Sequence, residues 1–291
     1  MSSYTVKANQ NLFDIALSLY GSVEGIYDLL ISNSNLSMDS DLKSGDVLEY
    51  HDYFVINDSI AKEISSEGIV PANGERNVYY KSISQPIVML YKIVAASETV
   101  SIQVSGSGTM LFDWGDNSNI ESIALSEEVQ AITHYFNSKV DERRIKVYGS
   151  FSLTYLNNTD MTGNMLLMAP LTVNEFVSQV NSFSLGGLLL FEGTEKIDLQ
   201  KGTISDLTSI YDMSLTELNM LDVKFTSTNV IDEYLEYIVS NYGTRKACTV
   251  YLNTEPSEAG MEAINTIINN SEWNDSSKWK FVINGTTYTK E

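Results

Sequence analysis

Cysteine is nearly missing from this chain of 291 residues, which has one, Cys248, and only two histidines, His51 and His134. A single cysteine excludes an intrachain disulfide framework, and so few Cys and His together argue against a zinc site drawn from them. Cys248 lies in a strand-like run, Ala247-Cys248-Thr249-Val250-Tyr251-Leu252, where a small buried core residue is expected rather than half of a Cys/His nucleophile pair. Long hydrophobic runs are missing too. No stretch approaches the roughly 20 apolar residues that span a bilayer, so no membrane insertion is expected. The opening Met1-Ser2-Ser3-Tyr4 has neither a basic nor an apolar signal region, so a chain made in a cytoplasm is expected. Basic residues are scarce, 18 against 38 acids, for a net charge of −20. That field repels nucleic acid and anionic membrane, and it keeps a protein soluble before assembly. Gly-rich phosphate loops, Ser-His-Asp signatures and HExxH are absent from the sequence, so neither an enzyme nor a cofactor is expected.

What is present is enough apolar material, 43%, for sizeable cores, and a length that suits two or three domains. The first fifty residues organise the rest. Tyr4-Thr5-Val6-Lys7 alternates as a short strand, and Asn9-Gln10-Asn11 forms a polar turn. Leu12, Ile15, Ala16 and Leu19 then recur at helical spacing, with Asn11 as N-cap, Asp14 in the first turn and Gly21 closing the helix. A second helix is predicted from about Val23 to Ser32, with Val23, Ile26, Tyr27 and Leu30 on one face. Leu42-Lys43-Ser44-Gly45-Asp46-Val47-Leu48 then leads into a closing strand. The order β-α-α-β in so short a span implies two helices packed on a two-stranded ribbon.

This pattern resembles the LysM module. Tyr4-Thr5-Val6-Lys7 and Leu12-Phe13-Asp14-Ile15-Ala16 match its opening, Tyr20-Gly21-Ser22 and Asn33 its middle, and Leu42 to Leu48 its end. In place of the usual Gly-Asp-Thr stands Asn9-Gln10-Asn11. In secreted members the loops before the helices contact N-acetylglucosamine glycans, so the resemblance implies Asn9, Gln10, Asn11, Asn33 and Ser34 as glycan-binding candidates. Similar modules occur in the baseplates and tails of contractile phages and injection machines. The Gln-Asn-Leu-Phe-Asp-Ile-Ala wording and the Tyr-Gly-Ser-Val-Glu-Gly run look more like that group.

Residues 53–78 read as a linker, in which Asn57-Asp58-Ser59 cap a short helix through Ile64; Pro71, Asn73 and Gly74 mark a break. From 79 to 156 the period switches to two. Ile83, Ile87 to Tyr91, Val100 to Val104, Met110 to Trp114 and Ile145 to Tyr148 are strand-like. Turn signals at Gly106-Ser107-Gly108, Gly115-Asp116-Asn117-Ser118 and Asn137-Ser138 separate them, which argues for a small antiparallel sandwich. Phe112-Asp113-Trp114-Gly115-Asp116-Asn117, followed by Thr133-His134-Tyr135-Phe136, resembles the PKD-type sandwich. Trp114 is expected in the core, Asp116 at a turn, and His134 in a structural rather than a catalytic setting.

From 157 to 291 strand alternates with helix. Leu188 to Phe191, Leu218 to Leu221, Val250 to Asn253 and Phe281 to Asn284 are apolar segments at a spacing of ~30 residues, typical of solenoid repeats. Thr228-Asn229 cap a helix with Val230, Ile231, Tyr234, Leu235 and Ile238 inward. Pro256-Ser257 open another with Ala259, Met261, Ile264, Ile267 and Ile268 inward. These units resemble irregular leucine-rich repeats, with Asn219, Asn253 and Asn284 as an incomplete asparagine ladder; a two-layer α/β domain is the alternative. A Trp-Gly-Asp sandwich running into such repeats is an order known from Bacteroidetes proteins and their phages.

A glycosidase needs two carboxyls flanking a cleft, and two acid pairs are candidates. Asp113/Asp116 and Asp198/Glu217 sit in turns or on strand edges, with nothing to raise one pKa, and 38 acids make chance pairs inevitable. The expected fold class is therefore multidomain α+β, with a LysM-like module (1–52), linker, PKD-like antiparallel β-sandwich and LRR-like strand–helix repeats. The resemblances imply a non-enzymatic structural protein of a phage or prophage tail, of the baseplate type. Its partners would be other virion or tail proteins, in a homo-oligomer or ring, with no nucleic acid and no membrane. It would be made in the host cytoplasm and end in the virion. The alternative is a cell-surface protein that binds peptidoglycan and whose signal peptide was removed; an accessory of a cell-wall hydrolase is a third reading.

Overall fold

Asn11 begins the first helix because its side chain satisfies N–H groups that a helix start leaves open. Its Oδ1 accepts from the Phe13 and Asp14 N–H groups at 2.9 and 3.0 Å, and Asp14 Oδ2 accepts from the Asn11 N–H at 2.9 Å. The computed structural model describes residues 1–7, 10–40, 42–43, 45–69, 81–94, 97–116, 118–136 and 142–290. Its architecture is mixed α/β, and two compact units divide the chain. One comprises residues 1–80, 94–100 and 133–143; the other comprises 81–93, 101–132 and 144–291.

In the first unit, β1 (Ser2–Thr5) pairs antiparallel with β2 (Val47–Tyr50), and between them run α1 (Leu12–Tyr20) and α2 (Ile26–Ser32), the latter preceded by a 3-10 turn, Val23–Gly25. Val6, Leu12, Ile15, Ala16, Leu29 and Leu48 are buried together in its core. The second helix departs from the expected face. Ile26 and Leu29 point inward, whereas Tyr27 and Ile31 are 70% and 80% exposed and Val23 is 44% exposed. A face of Val23, Ile26, Tyr27 and Leu30 therefore does not exist as one surface; the helix is apolar on two sides.

Next, α3 (Asp58–Glu67) starts at Asn57, whose side chain accepts from the Ile60 N–H, and packs on α1. It outruns the predicted end at Ile64. The boundary expected near 75–80 lies outside the described residues. Gly21 makes the α1–α3 approach possible: its φ is 69°, and a Cβ there would stand 1.9 Å from the Asn57 carbonyl oxygen.

Beyond α3, β3 (Ile87–Val94), β4 (Thr99–Asp113), β5 (Glu121–Ala124), β6 (Gln130–Tyr135), β7 (Glu142–Asn157), β8 (Gly163–Leu167) and β9 (Leu171–Gln179) lead into β10 (Phe191–Glu192), β11 (Lys196–Ile204) and β12 (Glu217–Phe225). After α4 (Asn229–Ser240) come β13 (Thr249–Leu252), α5 (Glu258–Asn269), β14 (Lys280–Ile283) and β15 (Thr286–Tyr288). Strands β3 to β15 contribute to one mixed sheet; its main path is β15-β14-β13-β12-β11-β9-β7-β3-β8, and β4 pairs β5, β6 and β7.

Two expectations fail here for steric reasons. Gly106 and Gly108 do not end a strand; β4 runs through them and pairs antiparallel with β7. At φ 152° and 99°, a Cβ would stand 2.1 Å from Ser152 O and 2.4 Å from Ser150 O, so these glycines permit a bulge and close backbone approach. Leu188, Leu189 and Leu190 are a 3-10 segment (Leu185–Leu190), not a strand, and Leu189 is exposed. The alternating strand is instead Lys196–Ile204, with Ile197 and Leu199 inward.

Strands β9, β11, β12, β13 and β14 run parallel, and Phe176, Ile197, Leu218, Val250 and Phe281 share one register row. The last four begin at 196, 217, 249 and 280, hence steps of 21, 32 and 31 residues. α4 buries the five apolar residues expected. In α5, Ala259 is exposed and Gly260 faces inward. Asp232 of α4 requires that exchange: its Oδ1 accepts from the Ser257 N–H at 3.0 Å and would lie 2.2 Å from a Cβ at Gly260.

Gly21→Ala should cost on the order of 2 kcal/mol or more, the left-handed backbone alone accounting for about 1–3, and urea unfolding of the variant checks it. Unchanged stability would mean that α3 does not rest on Gly21.

Candidate functional site

Of the loop residues that the LysM resemblance implies as glycan-binding candidates, Gln10, Asn11 and Asn33 have definite structural partners. Gln10 Oε1 accepts from the Lys7 N–H at 2.8 Å and from the Tyr4 hydroxyl at 3.0 Å. Asn11 caps α1. Asn33 clamps the end of α2 to β2: its Nδ2 donates to Leu29 O and Glu49 O, and its Oδ1 accepts from the Glu49 N–H, each at 2.8 Å. Ser34 is exposed beyond α2, and Asn9 lies outside the described residues. Gln10 and Asn11 thus share the loop before α1, while Asn33 and Ser34 share the loop after α2.

Sequence reading missed a buried polar network in the same module. Asp28, 8% exposed, accepts on Oδ2 from the Tyr20 hydroxyl at 2.6 Å and the His51 N–H at 2.9 Å, and its Oδ1 lies 2.8 Å from His51 Nδ1. Burial pushes the Asp28 carboxyl up, but the bonds from Tyr20 and His51 outweigh it and hold the group below its ordinary value. Burial, then the Asp28 bond, pushes the Tyr20 hydroxyl well above its ordinary value. The one signal available was an acid between Ile26 and Leu29, on the shoulder of the inward arc.

Ser32 Oγ also approaches His51, at 3.4 Å from Nδ1. A Ser-His-Asp relay needs the two partners on opposite ring nitrogens. Here both meet Nδ1, so the trio tethers the imidazole between α2 and the end of β2. Tyr53 lies beside it, its ring 5.0 Å from the His51 ring and 80% exposed. Tyr27 and Ile31, spaced by four, line the outer side of α2, and Val23 in the 3-10 turn before it is exposed too. The module therefore presents an apolar stripe next to a rigid polar anchor.

The acid pairs are accounted for locally. Asp113 is 4% exposed and lies between Lys81 Nζ, 3.0 Å from Oδ1, and Lys146 Nζ, 3.6 Å from Oδ2. Asp116 Oδ1 accepts from the Ser118 N–H at 2.9 Å, as a turn carboxylate does. Trp114 is buried, stacks on Phe112 at 4.6 Å, and donates its indole N–H to Glu121. Asp198 accepts from the Gln200 amide, and Glu217 pairs in register with Lys196 on the neighbouring strand. His134 packs edge-on to Phe136 at 5.0 Å. Cys248 is buried, and that burial pushes its thiol up. Among the described residues, no group of three or more His, Cys, Asp or Glu is placed to hold a metal ion.

Two open cavities lie in the strand–helix region among the described residues. One, of about 350 Å³, is lined by Phe191, Thr194, Glu195, Asp212, Ser214 and Lys246; Lys246 is ion-paired with Glu195 and holds that carboxyl below its ordinary value. The other, of about 590 Å³, lies between the 180–189 segment and residues 203–209. Of the aromatics of this region, Tyr234, Tyr242 and Trp279 are at most 3% exposed, whereas Tyr211, Tyr237, Tyr251, Trp273 and Tyr288 are half-buried. Asn253 donates to Leu221 O and Val223 O at 2.7 Å, bonding one unit to the preceding one. Asn284 instead occupies a left-handed turn position.

No family model and no curated protein matches the chain. Among solved structures, a carbohydrate esterase family 2 enzyme with a carbohydrate-binding domain, from Corynascus thermopiles (Myceliophthora fergusii), is similar at 12% identity, covering 69% of this chain and 85% of that one. Its TM-score of 0.18 carries no structural argument.

Asp28 has a depressed pKa, so its stabilisation is fully present above the ordinary carboxylate value of about 4 and is lost as pH falls through the lower folded value. Asp28→Asn should cost about 1–3 kcal/mol at pH 7 and lose less further stability than the parent on going to pH 3. Urea titrations at both pH values decide it; equal losses would show that the network is not acid-sensitive.

Proposed function

We propose that this chain is a non-enzymatic structural protein of a phage or prophage tail, of the baseplate type, and that its βααβ module is the part that docks. The observation that carries this reading is the outer side of α2. Tyr27 and Ile31 stand one turn apart there at 70% and 80% exposure, with Val23 of the preceding 3-10 turn 44% exposed, while Ile26 and Leu29 close the core. A small module gains nothing in its own stability from such a stripe, and large apolar side chains left in water together mark interaction surfaces. Burying Tyr27 and Ile31 in an interface removes each from water at about 1.5–3 kcal/mol.

In this reading the first fifty residues are a LysM-like module used for assembly, the Trp114 region is a PKD-like sandwich, and β11 to β14 with α4 and α5 are irregular leucine-rich-repeat-like units. Further support comes from the use of the loop polar groups inside the module itself: Gln10, Asn11 and Asn33 spend their hydrogen bonds on the fold. The protein would be made in the host cytoplasm and leave it within the virion, with tail proteins as partners.

The test is assembly. Tyr27→Ser/Ile31→Ser should keep the fold, since both positions are exposed, and should drop out of purified particles by at least tenfold on a quantitative immunoblot. A chain found only as a free monomer, or a variant incorporated as well as the parent, would overturn the reading. Retention of the parent on purified peptidoglycan, lost in Asn11→Ala or Asn33→Ala, would favour a glycan-binding surface protein instead.

A further inference from the structure

The segment that carries the stripe is strongly one-signed in sequence. Residues 8–61 hold nine acids, Asp14, Glu24, Asp28, Asp39, Asp41, Asp46, Glu49, Asp52 and Asp58, against a single base, Lys43. Glu24 adjoins Val23, and Asp52 adjoins Tyr53; both acids are exposed. The lysines bordering this span are already answered, Lys7 by Glu98 at 3.0 Å and Lys62 by Asp58 at 2.6 Å. Among the described residues, neither Glu24 nor Asp52, the acids adjoining the stripe, is held in an ion pair.

We infer that the surface seated on Val23, Tyr27, Ile31 and Tyr53 belongs to a different protein and is an apolar knob rimmed by lysine and arginine. This rests on the docking reading above and adds the partner's chemistry to it. A second copy of this chain is disfavoured by the same charges: an isologous contact brings identical patches together, so Glu24 and Asp52 of one copy would meet those of the other. Like charges brought together at an interface oppose association, whereas opposite charges around an apolar centre speed encounter and fix the partner. The net −20 of the whole chain acts in the same direction at longer range.

The experiment uses the full chain and two synthetic amphipathic helical peptides with the same leucine face, one with a lysine rim and one with a glutamate rim, followed by fluorescence anisotropy. The lysine-rimmed peptide is expected to bind at least tenfold more tightly than the glutamate-rimmed one at low salt, and to weaken as salt is raised. Glu24→Lys/Asp52→Lys should weaken it at least tenfold and flatten the salt dependence, and Tyr27→Ser/Ile31→Ser should abolish binding. Circular dichroism of the variants should match the parent.

Equal binding of both peptides, unchanged by Glu24→Lys/Asp52→Lys, would overturn the basic-partner inference while leaving the docking stripe standing. Binding of the lysine-rimmed peptide that survives Tyr27→Ser/Ile31→Ser would overturn both at this site. So would binding of neither peptide. Self-association in sedimentation velocity that Tyr27→Ser/Ile31→Ser removes would make a second copy the occupant and overturn the inference.

Discussion

In the larger unit one row of side chains sets the order of everything around it. Phe176, Ile197, Leu218, Val250 and Phe281 stand opposite one another on five adjacent parallel strands, and Met220, Leu252 and Ile283 form a second row above three of them. Side chains alternate between the two faces of a strand, so sliding any strand by one residue would expose its apolar residues and bury its polar ones. Lys196, Glu217, Thr249 and Lys280 would move inward together. The buried sides of α4 and α5, Ile231, Leu235, Ile264 and Ile267 among them, complete the apolar interior of this region. Asp232 then links the helices by accepting from the N-terminus of α5, where the helix dipole favours a carboxylate.

The smaller unit solves a different problem. Its βααβ module buries eight apolar residues together among those described, and short elements around so small a core have little packing to define their angles. The Asp28 network and the Asn33 clamp supply directional bonds where packing is thin. Tyr20 joins α1 to α2 through Asp28, and His51 joins both to the end of β2. Asn33 spans α2 and β2 independently. A helix held by polar bonds on one shoulder is free to carry apolar residues on its outer side, which is where Tyr27 and Ile31 stand.

Much of the local structure was legible. Asn11, Asp14 and Gly21 mark the ends of α1 because capping depends on side-chain reach and on a left-handed residue, both local properties. The inward residues of α4 follow from 3.6-residue spacing. Misreadings came where two local rules agree on residue type and differ on context. Gly106 and Gly108 suit a turn or a close strand contact, and only Ser150 and Ser152 on β7 decide between them. Leu188 to Leu190 suit a buried strand or a 3-10 turn, and a run without alternation does not separate the two. Ala259 and Gly260 are neighbours, and Asp232, twenty-eight positions before Gly260, selects which one faces in.

The site divides the same way. By itself the sequence determined the placement of caps, the period of strands and helices, and the excess of acids, because these depend on residues within a few positions or on plain summation. Tertiary structure alone decided that Asp28 is a buried acceptor, that the Asn33 amide is consumed by β2, and that Tyr27 and Ile31 remain in water. Each of those outcomes depends on which distant segment reaches the side chain first, and a hydrogen bond or an apolar contact between residues twenty positions apart has no signature in their spacing.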